Sequence, residues 1–218
     1  MRLLLLTDIH GNDEKLEKIL SREEFDGILC AGDISDAREF DDYQGKLDEI
    51  LDMLEDETGL VKAVPGNMDP EQDCVRTLID RKMNVHKKIA SFQEFDVVGF
   101  GGGQTPFGTP FEPSGEEIRK SLEVLHGRMS SGLKAAVIHQ PPENTDLDIA
   151  DGEHVGSGEV RELLEEKDFD FLLTGHIHES YGTDKIGDTL MVNPGPVNQG
   201  HYGVLEVRDS FKVELKEV

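Results

Sequence analysis

The sequence predicts an α/β fold built on a mixed sheet, and three observations carry that expectation. Short apolar runs alternate with segments of helical period through the first eighty residues. From His86 the period changes to that of a hairpin, and beyond Ser180 the chain reads as short strands alone. Strand–helix–strand alternation implies parallel pairing with right-handed crossovers, whereas strands that follow one another directly pair antiparallel.

Taken in order, residues 2–7, 27–31 and 60–65 are apolar runs that read as buried strands. Between them, Leu16, Ile19 and Leu20 (within 13–20), then Leu47, Ile50, Leu51 and Leu54 (within 44–57), fall at helical spacing. A third helix is expected over 71–81. Residues 86–92 and 95–100 form the expected hairpin, and the Gly- and Pro-rich stretch 101–114 is too long for a simple turn. A helix (116–129), a strand (134–139) and a loop to about 156 follow, then a helix (158–167) and a strand (170–174). The strand-rich tail, 180–217, is divided by Asn193-Pro194-Gly195-Pro196. No repeat or low-complexity linker interrupts this order, so residues 1–218 are expected to form a single domain.

Charge narrows the partners. The 218 residues include 46 acidic and 22 basic side chains, a formal net charge of −24. A surface this acidic disfavours bulk binding to duplex nucleic acid. A small phosphorylated substrate remains compatible with it, provided that bound cations reverse the field locally. No apolar run approaches the ~20 residues of a bilayer span. The run 3–6 is too short for a signal segment, so a cytoplasmic protein without membrane contact is expected. Homo-oligomerisation is compatible with the sequence. The two cysteines, Cys30 and Cys74, lack a paired spacing, and Cys30 reads as a small core residue.

The chemistry sits at the strand ends. The first strand runs into Asp8-Ile9-His10-Gly11-Asn12, the second into Gly32-Asp33, and the third into Gly66-Asn67-Met68-Asp69. The later strands end in His139 and in Gly175-His176-Ile177-His178. Ligands of open α/β sheets bind beyond the carboxyl ends of strands, so these five ends are expected to converge. Singly, each has a bland explanation: Gly-Asn-x-Asp is a common turn, and a lone histidine is usually just hydrogen-bonded. Jointly they supply oxygen and imidazole nitrogen without thiolate, a set suited to manganese, iron, zinc or similar divalent ions. Seven ligands (Asp8, His10, Asp33, Asn67, His139, His176, His178) are too many for one ion but suit two.

In these motifs, from Leu3 to about Pro196, the chain resembles the calcineurin-like metallophosphoesterase superfamily. That pattern is Asp-x-His, Gly-Asp, Gly-Asn-His-Asp/Glu, a lone His, and Gly-His-x-His. The resemblance implies a two-sheet mixed β-sandwich flanked by helices, a four-layer αββα architecture with a dinuclear centre. Asp8, His10, Asp33 and His178 would hold one ion; Asp33, Asn67, His139 and His176 would hold the other, with Asp33 bridging. Two divalent transition-metal ions are expected, manganese first, with iron, zinc, nickel or cobalt as alternatives. Thr105-Pro106-Phe107-Gly108-Thr109-Pro110 and the Asn193–Pro196 segment are similar to a small microbial branch related to cyclic-nucleotide phosphodiesterases.

The implied function is a phosphoesterase, a phosphodiesterase before a monoesterase, in which metal-bound hydroxide attacks phosphorus in line. Met68 departs from the pattern: it stands where the family has a histidine, and a thioether cannot serve as an acid. Asp33, Asn67, Asp69 and His154 are the candidate catalytic residues. Asp69 is expected to orient a neighbour, and His154, in the loop between two ligand-bearing strands, is the first candidate to replace the missing proton donor. The alternative is a noncatalytic protein-interaction scaffold, the role of the retromer subunit that shares this fold; a scaffold need not keep the seven ligands.

Overall fold

A computed structural model describes every residue except Gln93. The first sheet is built outward from β1 (Arg2–Leu6) and β2 (Gly27–Cys30), which are buried almost throughout. Its order is β13 (Phe211–Glu217), β12 (His201–Val207), β1, β2 and β3 (Val61–Ala63). β1, β2 and β3 run parallel, and β12 and β13 close the β1 side antiparallel.

In the second sheet the order is β10 (Gly182–Ile186), β11 (Thr189–Asn193), β9 (Phe171–Leu173), β6 (Leu133–Ile138), β5 (Phe95–Phe100) and β4 (Ile89–Ser91). Its four central strands are parallel, with β4 and β10 antiparallel at the edges.

Period-two alternation sorts the core into layers. Leu4 and Leu6 of β1 face α1 (Asp13–Leu20), α2 (Tyr43–Glu57) and α3 (Glu71–Asp80), meeting Leu16, Ile50 and Leu78. Leu3 and Leu5 face the other way and meet Phe95, Val97, Val137 and Phe171 of the second sheet. That sheet turns Val98, Phe100 and Ile138 outward onto α4 (Gly115–His126) and α5 (Gly158–Glu166). The result is the expected two-sheet mixed sandwich with helices on both outer faces. Among the described residues, no helix is long and apolar enough to cross a membrane.

Three local expectations differ. Strand 86–92 shrinks to β4, because Lys87 takes a left-handed backbone (φ 54°) and His86 turns inward to accept from Gly101 N (2.9 Å). The helix expected to reach 129 ends at His126, where Gly127 bonds back to Glu123 O. Inside the loop 140–156 lies a short hairpin of β7 (Ile149–Ala150) and β8 (Glu153–His154).

Candidate metal centre

The parallel strands of both sheets deliver their carboxyl ends to one edge, and backbone bonds lace the loops there together. Asp8 N and His10 N donate to Gly32 O (2.9 Å) and Asp33 O (2.8 Å), joining the ends of β1 and β2. Gly102 N donates to Pro65 O (3.0 Å), which ties the second sheet to the first. Asp8, His10, Asp33 and His176 all adopt positive φ (53°, 48°, 49° and 71°), a left-handed conformation that side chains rarely take. Such strain at four neighbouring positions is maintained only where surroundings over-determine it. Glycine makes that possible at two close approaches: a methyl at Gly66 would strike the Asp33 carboxylate, and one at Gly175 the Thr7 hydroxyl.

All seven predicted ligands meet there. On one side His178 Nε2 lies 3.2 Å from Asp8 Oδ1 and 3.3 Å from His10 Nε2. Asp33 Oδ2 stands between the two sides, 3.7 Å from His10 Nε2 and 3.5 Å from His139 Nε2. On the other side Asn67 Oδ1 is 2.9 Å from His139 Nε2 and 2.8 Å from His176 Nδ1. Metal bonds of about 2.0–2.2 Å place neighbouring ligand atoms roughly 2.8–3.6 Å apart, close to these separations.

The donor chemistry also fits divalent cations. His139 Nδ1 donates to Ala31 O (2.7 Å) and His176 Nε2 to Gln104 O (3.2 Å), so each ring offers its other nitrogen to the cluster. Asp8 Oδ2 accepts from Thr7 Oγ1 (2.7 Å) and His176 N (3.1 Å), whereas its buried Oδ1 has no hydrogen-bond partner. An orphaned buried carboxylate oxygen is costly unless a cation meets it. Two overlapping groups, Asp8–His10–His178 and Asp8–Asp33–His139, each bring three ligand atoms within 4.8 Å of one another.

Electrostatics point the same way. Burial opposes ionisation of Asp8, but the imidazole of His178 beside it, with His139 and His10, holds its carboxyl below the usual range. Burial likewise works against the charged form of His10, yet Asp36, Asp33 and Asp8 raise it to about 9. His139, wholly buried, is raised to about 9 by Asp33 and Asp8. Burial and the neighbouring His139 instead lower His176 to about 4, which preserves its lone pair. The carboxylates thus create a field that calls for positive charge.

The other candidates occupy different places. Asp69 is fully buried, its carboxylate accepting from Ile34 N (3.0 Å), Gly66 N (2.8 Å), Ser35 N (3.1 Å) and Tyr43 OH (2.9 Å). It clasps the loops after β2 and β3, which carry Asp33 and Asn67. Met68 is half-buried and gives its backbone N–H to Asp33 Oδ1 (2.8 Å). His154 lies on β8, its Nδ1 2.7 Å from Asp148 Oδ1. Among the described residues, no hydrogen bond or ion pair joins His154 to the seven ligands. Its chain neighbour Val155 accepts at O from Nε2 of Gln140 (3.3 Å), the residue after His139. Burial pushes the Cys30 thiol up to about 12, so it offers no thiolate.

Sequence reasoning missed the groups behind the ligands. Asp36 Oδ2 lies 3.3 Å from His10 Nδ1, and Asp148 orients His154. Asp36, three residues beyond Asp33, was the findable one; the backbone carbonyls of Ala31 and Gln104 carry no residue-type signal.

A two-sheet sandwich with this donor set at the carboxyl ends of its strands defines a class of candidate dinuclear metalloproteins. Residues 1–180 match the family described as Calcineurin-like phosphoesterase. Over 205 residues the chain is 36% identical to the uncharacterized protein MJ1162 of Methanocaldococcus jannaschii, spanning 90% of this chain and 88% of that one. The chain belongs to the calcineurin-like phosphoesterase family, whose members depend on a dinuclear metal centre and act on small phosphate esters. Its fold is shared by TT1561 of Thermus thermophilus (TM-score 0.78, 21% identity, 99% of this chain and 98% of that one). It is also shared by a dimetal phosphatase from Danio rerio (TM-score 0.71, 12% identity, 100% and 96%).

Proposed function

We propose that the protein is a phosphodiesterase that works with two divalent transition-metal cations, manganese before iron, zinc, nickel or cobalt. The convergence of seven N/O donors on one edge, around a buried Asp8 oxygen without a partner, carries this reading. When bound, such a pair of cations supplies Lewis acidity at phosphoryl oxygens and lowers the pKa of water. Asp8, His10, Asp33 and His178 would hold one, and Asp33, Asn67, His139 and His176 the other.

The remaining residues position and move protons. Asp69 fixes the loops that present Asp33 and Asn67. Met68 contributes no positive charge, and a diester brings one negative charge where a monoester dianion brings two. A rim without that imidazolium therefore favours the diester. His154, with Nδ1 taken by Asp148, keeps Nε2 as the group to protonate the departing oxygen. The inter-sheet core shared by both halves supports treating 1–218 as one domain.

Metal analysis should find two cations per chain. Hydrolysis of bis(4-nitrophenyl) phosphate should vanish on chelation, return with manganese, and exceed that of 4-nitrophenyl phosphate. His154→Gln should steepen the dependence on leaving-group pKa, slowing alkyl diesters by about 10²-fold relative to activated aryl diesters. Full turnover by exhaustively metal-free protein would overturn the reading, and an unaltered slope would remove His154 from it.

A further inference from the structure

Residues 101–114, between β5 and α4, run along the mouth of the metal centre, and their course is fixed at three places. Near one end Gln104 O accepts from His176 Nε2 (3.2 Å); near the other, Phe111 N donates to Asn67 O (3.0 Å). Both anchors belong to ligands on the same side of the cluster. Between them the tip reaches Arg38, whose Nη2 donates to the carbonyls of Phe107 (3.5 Å) and Gly108. Arg38 in turn gives its backbone N–H to Asp36 Oδ1 (2.8 Å), and Asp36 backs His10 on the opposite side. The loop therefore extends from one ligand set toward the other.

Its tip is also stapled from within. Glu112 Oε1 gathers Thr105 Oγ1 (2.6 Å), Thr109 N (2.6 Å) and Thr109 Oγ1 (2.9 Å), and Pro106 restricts the backbone before the turn. This braced segment ends in Phe107, 79% exposed, the most exposed large hydrophobic side chain among the described residues. A phenyl ring in water gains nothing for the core, and on a braced loop tied to His176 and Asn67 it is available to cover a ring presented at the cluster.

We propose that Phe107 seats the substrate, stacking on an aromatic ring carried by the phosphate ester, with Arg38 as the positioning residue that holds the tip. The ligand class is a phosphate ester bearing a planar aromatic group. A neutral ring suits this rim, where an anionic substituent would meet the acidic surface. One-faced stacking on a rigid aromatic is a recurrent way to bind planar groups without enclosing them. The inference rests on the phosphoesterase reading for its substrate, but the contact itself can be measured by binding alone.

The test uses the manganese-loaded protein and ligand pairs that differ only in a ring. Calorimetry compares phenylphosphonate with methylphosphonate; kinetics compare 4-nitrophenyl phenyl phosphate with 4-nitrophenyl methyl phosphate, which share a leaving group. Phe107→Ala should lower the phenyl-over-methyl preference by about fivefold to tenfold, in Kd and in KM, with little of the change in kcat. Phe107→Trp should keep or raise it. Arg38→Ala should reduce the same ratio and Arg38→Lys should restore part of it. Wild-type protein that shows no phenyl preference, or a preference that survives Phe107→Ala, overturns the proposal. A Phe107-dependent preference in binding without turnover of any ester upholds the seat and overturns the hydrolase reading. Parallel losses on both ligands in Arg38→Ala overturn its positioning role.

Discussion

His139 is wholly buried and fixed from behind by the Ala31 carbonyl, whereas His178, across the cluster, is 32% exposed. Its Nε2 faces Asp8 and His10, and no hydrogen bond holds its Nδ1 among the described residues. The contrast extends to the neighbours: Asn67 is buried, and His10 keeps 13% of its side chain in solvent. The cluster thus has an inner side set by backbone carbonyls and an outer side set by other side chains. Ligands whose second nitrogen is already committed need little ordering when a cation arrives; ligands free to turn must be ordered then. The inner side is expected to hold its cation tightly, and the outer side to exchange its cation and meet the substrate.

Asp33 is the test with the largest expected effect, because its Oδ2 faces imidazoles of both sides at 3.5 and 3.7 Å. Asp33→Asn should remove the shared charge, lower occupancy at both positions and cut diester hydrolysis by roughly 10³-fold. Loss of one cation alone would show that Asp8, which belongs to both ligand groups, carries the bridge instead.

A smaller effect separates the two sides directly. Limited chelation should release cations in two stages. His178→Ala should abolish the weaker stage and leave about one tightly held cation, whereas His139→Ala should disturb both. Dialysis followed by metal analysis reads this out; equal losses in the two variants would erase the distinction between inner and outer sides.

The convergence of the seven donor residues was legible in the sequence because each follows an apolar strand, and parallel strands in such sheets present their carboxyl ends together. The burial of β1 on both faces was legible for a similar reason, since Leu3 to Leu6 form one continuous apolar run whose side chains alternate between two cores, whereas the layer order was implied by the family resemblance alone. Other features were not. The inner–outer contrast depends on Ala31 O and Gln104 O, and every residue has a carbonyl. The β7–β8 hairpin escaped because its strands are two residues each, too short for a period to show. His86 read as part of a strand, yet it caps Gly101 N from inside the fold, at a break that Lys87 introduces by leaving extended backbone. Arg38 gave no signal, because its role is to reach a loop some seventy residues away.

The mildest perturbation acts on the outer side without touching a ligand. Asp36 Oδ1 is taken by the N–H groups of Arg38 (2.8 Å) and Glu39 (3.2 Å), while Oδ2 faces His10 Nδ1 at 3.3 Å. The carboxylate therefore fixes the ring and makes its Nε2 a better donor to a cation. Asp36→Asn keeps the shape and removes the charge. If its amide oxygen takes the two backbone N–H groups, its NH₂ is left facing His10 Nδ1, which favours the wrong tautomer or a turned ring. Loss of such a supporting group typically costs 10–100-fold in metal affinity. In a two-stage cation titration of Asp36→Asn, that loss should fall on the weaker stage, with the tighter one displaced far less. Displacement of both stages by the same factor would mean that the two sides respond as one rigid unit, and that the exposure of His178 has no energetic counterpart.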